Sequence, residues 1–183
     1  DGWEKNLAAI EKLADDEEYS DSLIVVNVSV GIDDFVNHKW QPFRVNNKWP
    51  TWRIQRLADK GVLFVIAAGN AKSKEGILKP VFHSPLPNVL YVAAADPTTL
   101  RKTRVSNAGL PGLLFVATDT GDPKDVGSSM ATAKVTGRLA QELVEGREIQ
   151  EAIDRLQQKA IPMKDAWWNP DWRKSLLGFG YLP

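Results

Sequence analysis

The sequence predicts an α/β fold, a doubly wound parallel sheet with helices on both faces, on three observations. Four short apolar runs, residues 23–28, 62–67, 89–94 and 113–117, are rich in Val, Ile, Leu and Ala. Each is nearly continuous rather than alternating, the pattern of strands buried on both faces of a parallel sheet. Segments with apolar residues at helical spacing lie between and around them, so strand and helix alternate along the chain. With 183 residues and a hydrophobic content of 43%, the chain has the size of one ordinary domain and enough material for a core. A single body over residues 1–183 is expected.

Residues 2–14 carry Trp3, Leu7, Ile10 and Leu13 at helical spacing, with Asp1 available as a cap. The acidic run Asp15-Asp16-Glu17-Glu18 reads as a solvated loop, since its spacing fits no calcium-binding loop. The first strand, residues 23–28, is interrupted only by Asn27 and runs into Ser29-Val30-Gly31. Residues 31–50 read as a long loop with four aromatic residues, Phe35, Trp40, Phe43 and Trp49, and with His38. A helix is predicted over residues 51–60, stopped by Gly61, then a strand that ends in Ala67-Ala68-Gly69-Asn70. Strands at 89–94 and 113–117 follow, with His83 in the connection before the first of them. Helical potential runs from Ser129 to about Glu145, where Gly146 stops it, and Ile149, Ala152, Ile153, Leu156 and Ala160 mark a last amphipathic helix. Trp167, Trp168 and Trp172 cluster in a polar, proline-bearing stretch near the end.

Charge and composition exclude several functions. Lys+Arg of 23 balance Asp+Glu of 23 with no concentrated basic stripe, so neither nucleic acid nor an acidic membrane surface is an expected partner. The absence of cysteine removes disulfides, thiolate catalysis and Cys-based zinc sites. No apolar run approaches the ~20 residues of a membrane span, and the N-terminus lacks the pattern of a signal peptide.

The chemistry concentrates in Val126-Gly127-Ser128-Ser129-Met130-Ala131-Thr132-Ala133. Ser129 falls in the first turn of the predicted helix, where unpaired backbone N–H groups and the helix dipole favour an alkoxide or an oxyanion. Small residues at Ala131, Ala133 and Gly137 are expected to let this helix lie close to the sheet. An ordinary Ser cap on a core helix fits the same residues, a turn residue fits Asn70, and a plain strand end fits Ser29-Val30-Gly31.

Taken together, these stretches resemble the subtilisin-like serine proteases. Gly127-Ser128-Ser129-Met130-Ala131 resembles the family's Gly-Thr-Ser-Met-Ala, with Ser128 in the Thr position and Ala133 in that of the following Pro. Val26-Asn27-Val28-Ser29-Val30-Gly31 resembles the strand whose end pairs with bound peptide. The stretch from Gly61 through Val65-Ile66-Ala67-Ala68-Gly69-Asn70 resembles the strand ending in the oxyanion-hole asparagine, Arg104-Val105-Ser106-Asn107-Ala108-Gly109 a segment ending Phe-Ser-Asn-x-Gly, and Leu177-Gly178-Phe179-Gly180-Tyr181 the closing turn.

The resemblance implies Ser129 as nucleophile and Asn70 as oxyanion donor. It also implies Ser29, Val30 and Gly31 as a peptide-binding edge, with Ala67, Ala68 and Gly69 leaving room for a substrate side chain. No cofactor is implied for catalysis; structural calcium is common in the family, and no ligand set for it is evident here. The chain departs from the pattern around His83, where relatives carry a cis-proline, and at Thr118-Asp119-Thr120-Gly121, which replaces Ala-Pro-Gly.

The family's order is Asp, His, Ser, and neither the Asp nor the His motif occurs between Asp1 and Ser29. His38 and His83 stand outside the family's His-Gly-Thr context. The chain is therefore expected to be the C-terminal part of a catalytic domain, with an upstream segment of the same domain as partner and a protein or peptide as substrate. An inactive binding or scaffolding module is the alternative. Another α/β hydrolase is weaker, because the Gly-x-Ser-x-Gly elbow is absent around Ser129. Compartment is left open, with the resemblance favouring a secreted or extracellular protein.

Overall fold

The computed structural model describes residues 2–29, 34–36, 39–41, 51–70, 87–103, 106, 114–117, 127–161 and 180–182. Helix α1 spans Gly2–Ala14, strand β1 Val25–Val28, β2 Asp34–Val36 and β3 Lys39–Gln41. Helix α2 spans Thr51–Asp59, followed by β4 Leu63–Ala67, β5 Val89–Asp96, β6 Arg101–Lys102 and β7 Leu114–Ala117. Helix α3 spans Ser128–Val144, α4 Ile149–Gln158, and β8 Gly180–Leu182. The expected α/β architecture is present.

The main sheet has the order β1-β4-β5-β7-β8, every neighbouring pair on that path parallel, with β6 antiparallel to β5. Its two faces are covered by different helices. Phe64, Ile66, Tyr91, Ala93 and Ala95 pack with Leu7 of α1 and with Ile54, Leu57 and Ala58 of α2. Leu63, Val65, Leu90, Val92 and Ala94 pack on the other side with Ala131, Val135 and Leu139 of α3 and Ala152, Ile153 and Leu156 of α4. Adjacent residues of one strand point to opposite faces, so the continuous apolar run of β4 serves two cores, Phe64 and Ile66 on one face and Leu63 and Val65 on the other. All five of its residues are buried.

Helix α2 ends before Gly61, where the Val62 N–H reaches back to Leu57 O at 3.0 Å and closes the last turn. Arg53 of α2 binds Glu11 of α1 through two contacts, at 3.2 and 2.6 Å, and also pairs with Glu4. The Arg53 hydrogen bond holds the Glu11 carboxyl below the usual glutamate range. On the opposite face Glu142 of α3 receives Arg147 at 3.0 Å, Arg155 of α4 at 3.1 Å and Lys159 at 3.0 Å.

Three expectations need correction. Residues 31–50 contain an antiparallel pair, β2 with β3, with Phe35 in register with Trp40; aromatic and β-branched residues such as Phe35, Val36 and Trp40 favour strand over loop. Strand β1 is not buried on both faces: Val25 and Val26 are partly exposed and Asn27 is exposed, because β1 ends the sheet among the described residues. Finally, Ala133 and Gly137 face solvent and do not bring α3 close to the sheet; of the three small residues only Ala131 is buried against it.

Candidate active site

In a parallel sheet covered on both faces, the carboxyl ends of the strands are where loops and helix starts converge and where ligands bind. Two such strand ends and one helix start meet here. β1 continues into Ser29, β4 into Ala68-Gly69-Asn70, and α3 begins at Ser128. α3 is fixed by its apolar stripe, Ala131, Val135 and Leu139, each fully buried. Its first turn is thereby pressed onto the ends of β1 and β4.

The contacts are specific. The Ser129 hydroxyl donates to Ser29 O at 2.6 Å. The Ser29 hydroxyl lies 3.1 Å from both Ser129 O and Asn27 Oδ1, and its single proton serves one of these acceptors at a time. Asn27 Oδ1 also lies 3.4 Å from the Thr136 hydroxyl of α3. Within the helix Thr132 donates to Ser128 O at 2.7 Å and Thr136 to Thr132 O at 2.9 Å. Thus the polar side of α3 lies against the end of β1 over two turns, bonded through Ser129, with the single Thr136 proton serving either Thr132 O or Asn27 Oδ1.

The second contact joins the helix start to β4. Ser128 donates through its N–H to Asn70 Oδ1 at 2.8 Å and through its hydroxyl to the same oxygen at 3.1 Å. The Gly69 N–H donates to Ser128 Oγ at 3.0 Å. Gly69 has φ of +87°, a left-handed conformation that glycine reaches without strain. It turns the chain at the end of β4 so that consecutive residues, Gly69 and Asn70, address one serine.

The residues singled out in the sequence fall as follows. Ser129, Asn70 and Ser29 come together at the start of α3, with Ser129, Asn70 and Ser29 all partly buried. Ala67, Ala68 and Gly69 line the same strand end and are buried, and Ala68 packs into the core with Leu7 and Ile54. Val30, Gly31, His38, His83, Thr118 to Gly121 and the tryptophans Trp167, Trp168 and Trp172 lie outside the described residues.

Ser128 is the residue that sequence reasoning passed over. It is fully buried and holds three of the contacts above. Its signals were a hydroxyl beside Ser129 and its place in the Thr position of the motif, neither of which assigned it a role. Among the described residues no group of three or more His, Cys, Asp or Glu side chains is arranged to hold a metal ion. The described polar groups of this site are hydroxyls, the carboxamides of Asn27 and Asn70, and backbone amides.

A model of the Subtilase family, Peptidase_S8, matches residues 4–161. A search of the curated proteins finds no match. Among solved structures, the prenylagaramide maturation protease PagA is similar over 97% of this chain and 63% of its own, at 22% identity and a TM-score of 0.61. The patellamide maturation protease PatA is similar over 97% of this chain and 65% of its own, at 23% identity and a TM-score of 0.62. Sphericase is similar over 96% and 62%, at 21% identity and a TM-score of 0.65. The chain therefore spans less than two thirds of each of these proteins, and what it shares with them at such identities is the fold. Among the described residues no helix is long and apolar enough to cross a membrane.

Proposed function

The chain belongs to the subtilase family, and on that premise we propose that it is the C-terminal part of a serine endopeptidase domain that cleaves protein or peptide substrates through an acyl-enzyme on Ser129. The observation that supports this reading is the pair of contacts made by the first turn of α3, Ser129 with the end of β1 and Ser128 with the end of β4. They bring a hydroxyl and a carboxamide donor to one helix start.

A serine hydroxyl at its normal acidity needs a base. In this reading the base is the family's histidine, oriented by its aspartate, and both come from an upstream segment of the domain. The Ser129 proton leaves the Ser29 carbonyl for that base as Oγ attacks the scissile carbonyl carbon. The oxygen that becomes negative accepts from Asn70 Nδ2 and from the Ser129 N–H, at the positive end of α3. Collapse expels the amine, which takes the proton from the histidine, and water then hydrolyses the acyl-enzyme by the same route in reverse. Ser29, Val30 and Gly31 supply the edge that pairs with extended substrate, and Ala67, Ala68 and Gly69 the small backbone beside it. This chemistry uses side chains and backbone amides alone.

Replacing Ser129 by Ala in the complete protein tests the assignment. Cleavage of a denatured protein substrate is expected to be abolished, while circular dichroism and the melting temperature stay those of the parent. Retained cleavage by the folded variant would reject Ser129 as the nucleophile. A parent protein that binds peptide but neither cleaves it nor forms a covalent acyl-enzyme would instead be a binding module that has kept the groove.

A further inference from the structure

Ser128 faces Asn70 with two donors. A backbone N–H can only donate, so the part of the Asn70 carboxamide that lies 2.8 Å from the Ser128 N–H is its oxygen and not its NH2 group. The Ser128 hydroxyl donates to that same oxygen at 3.1 Å, and its acceptor side is occupied by the Gly69 N–H at 3.0 Å. Because Ser128 is fully buried, water does not compete for these bonds. The carboxamide packs beside Gly127, where a Cβ would stand 2.9 Å from Nδ2 and 3.4 Å from Oδ1.

A carboxamide has two orientations related by a half turn, and in the oxyanion chemistry proposed above they have opposite effects. With the oxygen toward α3, the NH2 group faces away from Ser128 and can donate to a developing negative charge. With the orientation reversed, a lone pair would meet that charge. From this geometry we infer that Ser128 is a positioning residue for the reaction: its hydroxyl and N–H lock the Asn70 carboxamide in the donating orientation and tie it to the helix that carries Ser129. The inference rests on the reading of Asn70 as oxyanion donor. It assigns to Ser128 a role in turnover that filling a buried site would not require.

The test is a double-mutant cycle in the complete protein, with kcat and KM measured for Ser128→Ala, Asn70→Ala, the double variant and Ser128→Thr. Ser128→Ala removes the hydroxyl but keeps the N–H bond, so kcat is expected to fall roughly 2- to 10-fold, the worth of one hydrogen bond, with KM changed by less than about twofold. Ser128→Thr restores the hydroxyl and is expected to restore kcat. In the Asn70→Ala background, the further change from Ser128→Ala should vanish, because the group it orients is gone. An equal loss of kcat in both backgrounds, or a change confined to KM or to melting temperature, overturns the positioning role while leaving the nucleophile assignment intact. If Asn70→Ala itself leaves kcat unchanged, the oxyanion reading fails and this inference fails with it. Should Ser128→Ala not fold, Ser128→Cys keeps a side chain of similar size with a weaker donor, and the same cycle applies with the same outcomes.

Discussion

Gly127 has no room for a side chain, for a Cβ there would sit 2.9 Å from Asn70 Nδ2 and 3.4 Å from Oδ1. The first distance is well inside the 3.5–4.0 Å of ordinary contact between heavy atoms. Asn70 cannot simply swing aside, because Ser128 holds its oxygen from two donors. Gly127→Ala is therefore expected to displace the carboxamide and lower kcat about tenfold or more. The ceiling is about 10²–10³, a magnitude taken from this family's own asparagine, the standard case of a lost oxyanion donor. Turnover of the complete variant on a peptide substrate measures it, and a parental kcat would show that the carboxamide has another place to go. The sequence named Ser129 and Asn70 because Ser129 lies within one recognisable string and Asn70 ends another. It matched Gly127 and Ser128 to the motif without giving either a role, since what they do here depends on a distance to a residue at the end of another strand, which no local pattern encodes.

The register of α3 decides which of its small residues matter. Ser128, Ala131, Thr132, Val135 and Leu139 form one buried stripe at intervals of three and four residues. Ala133 and Gly137 fall on the opposite side, exposed, and a Cβ at Gly137 would meet nothing within 4 Å. Small size alone suggested close packing for all three small residues, whereas the spacing of Val135 and Leu139 already placed Ala131 on the inner face and Ala133 and Gly137 on the outer one. A glycine in an exposed helix interior lowers stability through backbone entropy without any packing gain. Gly137→Ala is thus expected to stabilise the protein by about 0.5–1 kcal/mol, read from urea unfolding, with kcat unaltered. Loss of stability would mean that a part of the chain outside the described residues covers that face.

Across the whole molecule, the alternation of buried strands and amphipathic helices made the fold legible, since each apolar run of β4 and β5 needs two helical layers to cover it. The hairpin of β2 and β3 and the short β6 were not legible, because two or three residues per strand carry too little periodicity to separate from loop. The residues proposed as nucleophile and oxyanion donor stand out in the sequence, the proposed base does not, and the question of the base belongs to this scale. In the chain as described, the Ser129 hydroxyl donates to the Ser29 carbonyl at 2.6 Å, an acceptor that orients a hydroxyl but is far too weak a base to take its proton. A fluorophosphonate reacts with serine only when the proton is removed as the oxygen attacks. The chain alone is therefore expected to show no added mass after fluorophosphonate treatment, and the complete protein to gain one adduct that Ser129→Ala abolishes. Replacing His38 and His83 by Ala in the complete protein should leave that labelling rate unchanged. Labelling of the isolated chain that disappears with either histidine would put the base within these 183 residues and overturn the proposal that an upstream segment supplies it.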